Sequence, residues 1–368
     1  MCEYSSTDDE KYMRRAIELA KKGLGWTNPN PMVGAVIVKD GKIIGEGYHK
    51  KYGELHAETS ALNNCTKSPE GATIYVTLEP CCHHGKQPPC TEAIIKAGIK
   101  RVVIGSLDPN PLVSGKGMQI LREHNIQVDN KLVCNRECID MNYVFFHYIK
   151  EKLPYVIVKY AQTLDGKIAT HNGLSKWITG EAARENVHMD RHRYSAIMVG
   201  INTVLKDDPM LNCRSKAVEN PHQPVRIVCD TRLRIPYDSK LVKTAGQIPV
   251  WIVTCCNDKE RISMYENAGC EIIAMEGEKI DIAQLMIILG RRGIDSCICE
   301  GGAKLNWSVI KSGMVKRIQA YIAPKIFGGV DAPASVAGTG FDAPDDALKL
   351  KDYTVTRLGD DILIEGEV

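Results

Sequence analysis

His56-Ala57-Glu58-Thr59-Ser60-Ala61-Leu62 is followed by Thr73-Ile74-Tyr75-Val76-Thr77-Leu78-Glu79-Pro80-Cys81 and then by Pro88-Pro89-Cys90-Thr91-Glu92-Ala93-Ile94-Ile95-Lys96-Ala97. The first piece predicts a helix from about Ala57 to Leu62, the second a strand around Ile74 to Leu78, and the third a helix from Thr91 to Ala97 that stops at Gly98. A further strand is expected at Arg101 to Ile104. Helices that cross between buried strands argue a three-layer α/β domain. Upstream, Val33 to Val38 and Ile43-Ile44 flank Asp40-Gly41, and an Asp-Gly pair between two strand-like runs is the strongest short hairpin signal. Before that, Thr7 and Glu10 stand at capping-box spacing, Met13, Ala16, Ile17 and Ala20 share one helical face, and Gly23 is the stop.

Downstream, Cys134 to Ile149 reads as one helix rich in aromatics, and it ends in the charged, proline-stopped Lys150-Glu151-Lys152-Leu153-Pro154. We place a domain boundary there, giving a first domain over 1–150 and a second over 151–368. The second opens with the buried-strand pattern Tyr155 to Ala161 and continues with strand runs at Ala196–Val199, Val225–Val228, Val250–Val253 and Cys297–Cys299. Helical stretches at Glu181–Arg193, Ile282–Leu289 and Ala303–Lys311 lie between them, so this too is an α/β domain. It ends in β-rich runs around Tyr353–Thr356 and Ile362–Ile364.

Length and composition bound the function. At 368 residues the chain has room for two or three domains. Lys and Arg number 47 against 45 Asp and Glu, a formal +2, so no net field draws the protein onto nucleic acid or an anionic membrane. No apolar run approaches the roughly 18 residues of a membrane span. The polar, acidic start lacks the basic and apolar regions of a secretory signal, which makes the cytoplasm the expected compartment and reduced thiols the expected state of the 14 cysteines.

His56, Cys81 and Cys90 are borderline or soft ligands, and three protein ligands leave zinc a fourth tetrahedral position for water, the arrangement of a catalytic site. Glu58, two residues beyond the histidine, can hang beside the metal without binding it. Zinc deaminases use such a glutamate to move protons, in an H-x-E and P-C-x-x-C pattern. Eight residues separate Cys81 from Cys90 here instead of two. The plainer reading takes the three as unrelated core or loop residues, since free cysteine is often buried. Against it stands the joint occurrence of both half-motifs on helix, strand and helix in the right order. Cys82, His83 and His84 lie in the insertion, where one of them could replace a ligand, but with a three-ligand set already complete solvated loop residues are the stronger reading.

In the second half no G-x-G-x-x-G follows a strand, so the usual dinucleotide fingerprint is absent. Glu300-Gly301-Gly302-Ala303 runs from a buried strand into a helix, where free amides and the helix dipole suit a pyrophosphate. As a plain strand-to-helix turn it needs no ligand, and the residues alone leave both readings open. Lys159 and Asp165 carry side chains able to polarise or hydrogen-bond a sugar.

Thr27-Asn28-Pro29-Asn30-Pro31-Met32-Val33-Gly34-Ala35, Gly45-Glu46-Gly47-Tyr48-His49, His56-Ala57-Glu58 and Thr77 through Cys90 together closely resemble the bifunctional deaminase-reductases of riboflavin biosynthesis. That family's motif has the long insertion between its zinc cysteines. The likeness continues through Lys159 to Ala169, Ser175-Lys176-Trp177-Ile178-Thr179-Gly180, Val199 to Leu205, Asp207 to Leu211 and Glu300-Gly301-Gly302, so it covers nearly the whole chain. Cys82 stands where serine is commoner.

The resemblance implies a cytidine-deaminase-like fold followed by a dihydrofolate-reductase-like fold. It implies zinc and NADPH as cofactors and two successive reactions on one phosphoribosylamino-pyrimidine: loss of a ring amino group as ammonia, then reduction of the ribose to a ribityl chain. Carried over by position, it makes His56, Cys81 and Cys90 the metal ligands, Glu58 the proton carrier, and Asn30, His49 and Lys86 substrate contacts of the deaminase. In the reductase it gives Ala161, Trp177, Thr203, Asp207 and the run Gly302, Ala303, Lys304, Leu305, Asn306, Trp307 and Ser308 as cofactor neighbours. Ser175, Arg191, Leu211, Arg214 and Glu300 become substrate neighbours, arginine suiting a phosphate through its planar fork. The expected partners are these small molecules, with neither nucleic acid nor membrane, and a homo-oligomer is expected. A nucleic-acid base deaminase would share the zinc motif. The +2 charge and 6% aromatic content speak against the basic, stacking groove it needs. A zinc module that only holds a fold would have no use for Glu58.

Overall fold

Val36, Ile37 and Val38 follow one another without alternation because both faces of their strand are covered. Each such burial contributes on the order of 1.5–3 kcal/mol. The computed structural model describes residues 6–84, 87–110, 113–129 and 131–368 and divides the chain into two compact units, Met1–Lys152 and Leu153–Val368.

The first unit holds β1 (Gly34–Lys39), β2 (Lys42–Tyr48), β3 (Thr73–Val76), β4 (Arg101–Ile104) and β5 (Gln127–Val128), ordered β2-β1-β3-β4-β5. β1 is antiparallel to β2 and β3, while β3, β4 and β5 run parallel. Asp40 and Gly41 turn the β1–β2 hairpin with φ of 51° and 70°, the left-handed pair that a two-residue turn requires. One face packs Ala35, Ile37, Ile74, Val76, Val102 and Ile104 beneath the helices Ala57–Asn63, Cys90–Lys96 and Lys116–Glu123. The other packs Val36, Val38, Tyr75 and Val103 against the helix Ser6–Ala20, giving the three layers. That helix approaches so closely that a Cβ on Gly34 would lie 1.9 Å from the Ala16 carbonyl oxygen. The Thr7 side chain, half of the expected capping box, lies outside the described part. The stretch expected as one helix over Cys134–Ile149 is two, Asn135–Met141 and Tyr143–Glu151. Buried Asn142 breaks it: its side chain accepts from Met32 N at 2.8 Å and donates to Met32 O at 2.9 Å, tying down the segment behind Asn30.

The second unit contains β6 (Tyr155–Thr163), β7 (Ala196–Gly200), β8 (Val225–Cys229), β9 (Val250–Thr254), β10 (Glu271–Ala274), β11 (Ser296–Cys299), β12 (Val315–Ala323), β13 (Lys351–Leu358) and β14 (Asp361–Glu367). Their order is β10-β9-β8-β7-β11-β6-β12-β14-β13. Strands β6 to β12 are parallel and the β13–β14 hairpin antiparallel, a mixed sheet. β11 returns to lie between β6 and β7, and the crevice beyond the carboxyl ends of parallel strands at such a reversal is where α/β sheets bind ligands. No helix among the described residues is long and apolar enough to cross a membrane.

Candidate active sites of the two units

In the first unit, His56 immediately precedes the helix Ala57–Asn63 and Cys90 is the first residue of the helix Cys90–Lys96, so the two helix starts aim their side chains at one point. Cys81 arrives on the loop after β3. His56 Nδ1 lies 3.3 Å from Cys90 Sγ and 3.5 Å from Cys81 Sγ, and the three donor atoms fall within 4.8 Å of one another. Zinc bonds of about 2.1 Å to nitrogen and 2.3 Å to sulfur place tetrahedral donors roughly 3.6 Å apart, so the set fits that ion. The Cys81 sulfur is favoured as thiolate: the hydrogen bond from Cys90 outweighs burial, and His56 adds to it. Among the described residues this is the one cluster of such donors. Cys82 is half-buried, and exposed His84 pairs with Glu92 at 3.4 Å.

Glu58 sits in the first turn of its helix, only 3% exposed, and is not one of the three donors. Burial first, and then the Cys81 sulfur, push its carboxyl up to about 7, the range in which a group both takes and gives a proton at neutral pH. Beside it opens a cavity of about 320 Å³ lined by Asn30, His49, His56, Glu58 and Cys81. His49 Nδ1 meets the Leu55 carbonyl at 3.0 Å and must donate to it, which leaves Nε2 to accept from Asn30 Nδ2 at 3.3 Å. The imidazole is thereby fixed as one tautomer, and burial lowers its pKa. Lys86, the third expected substrate contact, lies outside the described residues.

Among the cavity residues not anticipated are Asp108 and Asn110, which follow β4. Asp108 is buried and raised to about 6, chiefly by burial, while its Oδ1 accepts from Asn110 N at 2.8 Å. Their signal was only an Asp-Pro-Asn run after a strand. Glu79 also borders the cavity, but its carboxylate accepts from Gly115 N at 3.0 Å and Met118 N at 3.3 Å, which spends it on the start of the helix Lys116–Glu123.

In the second unit the carboxyl ends of β7, β11 and β6 bring Thr203, Glu300 with Gly302, and Ala161 to one end of the sheet. Thr203 Oγ1 lies 3.8 Å from where a Cβ on Gly302 would stand. Gly302 caps the helix Ala303–Lys311, whose first amides have no partner inside the helix. Within the expected cofactor run, Lys304 and Ser308 are exposed, while Leu305 packs on Gly301 and Trp307 on Phe341. Asn306 is 1% exposed and donates to Ser335 O at 2.9 Å, so its side chain serves the fold. Trp177 is exposed beneath the Arg184 guanidinium, 4.7 Å from its ring centre, and Asp207 is exposed at its helix end.

Glu300 is the electrostatic centre. Arg191 grips it with both edges of its fork, Nε to Oε1 and Nη2 to Oε2 each at 2.8 Å, and Lys159 Nζ stands 3.4 Å from Oε2. Burial would raise this carboxyl, but the two cations more than offset it and hold it down at about 2. Arg191 Nη1 goes to the Asn212 carbonyl at 3.1 Å, so in this structure its fork serves a protein carboxylate. Arg214 is exposed, Ser175 half-buried, and Leu211 buried with φ of 50°. Asp165 is turned to the loop beyond β12, accepting from Phe327 N at 3.2 Å and Gly328 N at 2.7 Å.

Comparison with known proteins gives two family matches. Residues 6–106 match the cytidine and deoxycytidylate deaminase zinc-binding region, and residues 154–364 match the RibD C-terminal domain. The riboflavin biosynthesis protein RibD of Actinobacillus pleuropneumoniae is 50% identical over 364 residues, covering 98% of this chain and 96% of that one. Its counterpart in Escherichia coli strain K12 is 37% identical over 97% of this chain and 98% of its own length. A crystal structure from Thermotoga maritima, a diaminohydroxyphosphoribosylaminopyrimidine deaminase/5-amino-6-(5-phosphoribosylamino)uracil reductase, superposes with a TM-score of 0.88 at 38% identity over 99% of each chain.

Proposed function

The chain belongs to the RibD family of riboflavin biosynthesis and is a zinc-dependent deaminase and NADPH-dependent reductase in one polypeptide, and from that premise we propose how its residues divide the work. The first unit removes the ring amino group of the diaminohydroxy-phosphoribosylamino-pyrimidine, and the second reduces the ribose of the resulting 5-amino-6-(5-phosphoribosylamino)uracil to a ribityl chain. The observation that carries this reading is Glu58, buried on the cavity wall beside the His56, Cys81 and Cys90 donors yet outside their set.

His56, Cys81 and Cys90 would hold zinc, which supplies the charge that makes water a nucleophile at neutral pH. Asn30, oriented by its hydrogen bond to His49, presents its remaining amide groups to the pyrimidine, with the His49 ring and Lys86 as further contacts. Glu58 takes one proton from the attacking water and gives it to the ring nitrogen as the C–O bond forms, then passes the remaining hydroxyl proton to the amino group, which leaves as ammonia as the ring carbonyl forms. In the reductase, Ala161, Trp177, Thr203, Asp207 and the 302–308 segment would bind NADPH, which supplies the hydride. Ser175, Leu211 and Arg214 contact the phosphorylated substrate, and Arg191 with Lys159 holds Glu300 ionised against it. The protein acts on small molecules in the cytoplasm, and assembly as a homo-oligomer fits the exposure of Tyr353 and Val355 on the outermost strand.

The boundary at 150–154 is proposed as functional as well as structural. A fragment from Tyr155 to Val368 should fold, bind NADPH and reduce the deaminated intermediate without zinc, while Met1 to Lys150 should bind zinc and release ammonia. A soluble, folded carboxyl-terminal fragment that fails to oxidise NADPH with that intermediate would sink the self-contained reductase site.

A further inference from the structure

Asp208 to Pro224 contains neither helix nor strand, yet it carries Leu211 and Arg214. The helix Glu181–Arg193 holds its 212–216 part, while Gln223 bonds both backbone groups of Cys213, at 2.8 and 3.1 Å, and Arg226 Nη1 holds the Met210 carbonyl at 3.2 Å. Residues 181, 185, 188 and 191 are spaced by four, three and three, so they share one helical face. Each holds a successive part of the loop. Glu181 pairs with Lys216 at 2.9 Å. Glu185 Oε1 accepts from Ser215 Oγ at 2.6 Å and Lys216 N at 2.9 Å. His188 Nδ1 accepts from Arg214 N at 3.2 Å, and Arg191 donates to Asn212 O at 3.1 Å. The loop therefore descends in number as the helix ascends.

These rungs are unequal. The Glu181–Lys216 pair is largely exposed and contributes little. The rung at His188 is the one that holds the backbone of Arg214 itself, and the Cys213 thiol reinforces it by donating to the His188 carbonyl at 3.0 Å. To accept that amide, Nδ1 must be unprotonated. Burial, followed by the Arg191 and Arg214 charges, pushes the imidazole down to about 4, with Glu300 and Glu185 opposing, so the ring is neutral at working pH.

We propose that His188 is a positioning residue of the reductase, whose Nδ1 lone pair fixes the Arg214 backbone and so presents the Arg214 side chain to the substrate phosphate. This rests on the proposed reading of Arg214 as a substrate contact. The test uses the full-length protein, with NADPH oxidation measured on the deaminated intermediate and deaminase activity as the check on folding. His188→Ala should raise the substrate KM about 10-fold, the equivalent of one lost hydrogen bond, with kcat and the KM for NADPH little changed. His188→Asn, whose side-chain oxygen can stand where Nδ1 stands, should restore the KM. His188→Gln, which reaches instead toward the Nε2 position, should not, and this pair decides the matter even if the alanine variant folds poorly. The proposal is overturned if asparagine rescues no better than glutamine, or if His188→Ala leaves the KM unchanged while Arg214→Ala raises it. An unchanged KM in Arg214→Ala would instead remove the substrate reading of that arginine, and the proposal with it.

Discussion

Glu58→Gln should retain about one zinc per chain and lose deamination by around a hundred to ten thousand fold, the usual worth of a positioned proton carrier. The amide is nearly isosteric with the carboxyl, so the first turn of the helix Ala57–Asn63 and the cavity wall keep their shape. Only the capacity to take up a proton and give it back is removed. Reduction of separately supplied uracil intermediate should continue in the same preparation, which distinguishes a chemical defect from a folding one. Deamination within about threefold of the unmodified protein would take Glu58 out of its role.

Cys90→Ala should abolish zinc retention and deamination together. Cys90 is 1% exposed and opens its helix, which fixes its thiol toward His56 and Cys81. Its backbone amide also donates to Cys81 Sγ at 3.3 Å, which couples the second thiolate to the same helix start. With two protein donors left, the tetrahedral site is incomplete and metal should be lost on dialysis. Elemental analysis decides it: equal zinc in Cys90→Ala and the unmodified protein would mean the ligand set is wrong, with Cys82 or His84 the donor to examine next.

The cluster of His56, Cys81 and Cys90 donors was legible because zinc chemistry restricts the residue types and the helix starts restrict their order. Asp108 and Asn110 were not, since a polar pair after a strand is common and only the fold puts it on the cavity wall. The buried strands β1 and β6 stood out as apolar runs. β12 did not, because Lys316, Arg317 and Gln319 interrupt its pattern while Ile318 and Tyr321 face the core. The break at Asn142 was hidden because its cause lies 110 residues away at Met32. Arg191 was expected beside the substrate, and its pairing with Glu300 could not be read, since the two residues are 109 apart in sequence.

The most direct test of one chain performing two chemistries is a stoichiometry. Purified full-length protein is supplied with diaminohydroxy-phosphoribosylamino-pyrimidine and NADPH, and ammonia release and NADPH oxidation are followed together. The account predicts one NADPH oxidised for each ammonia released, and no NADPH oxidation from that substrate in Glu58→Gln until the deaminated intermediate is added. NADPH oxidation by Glu58→Gln on the undeaminated substrate at the unmodified rate, or ammonia release with no NADPH consumed, would contradict it.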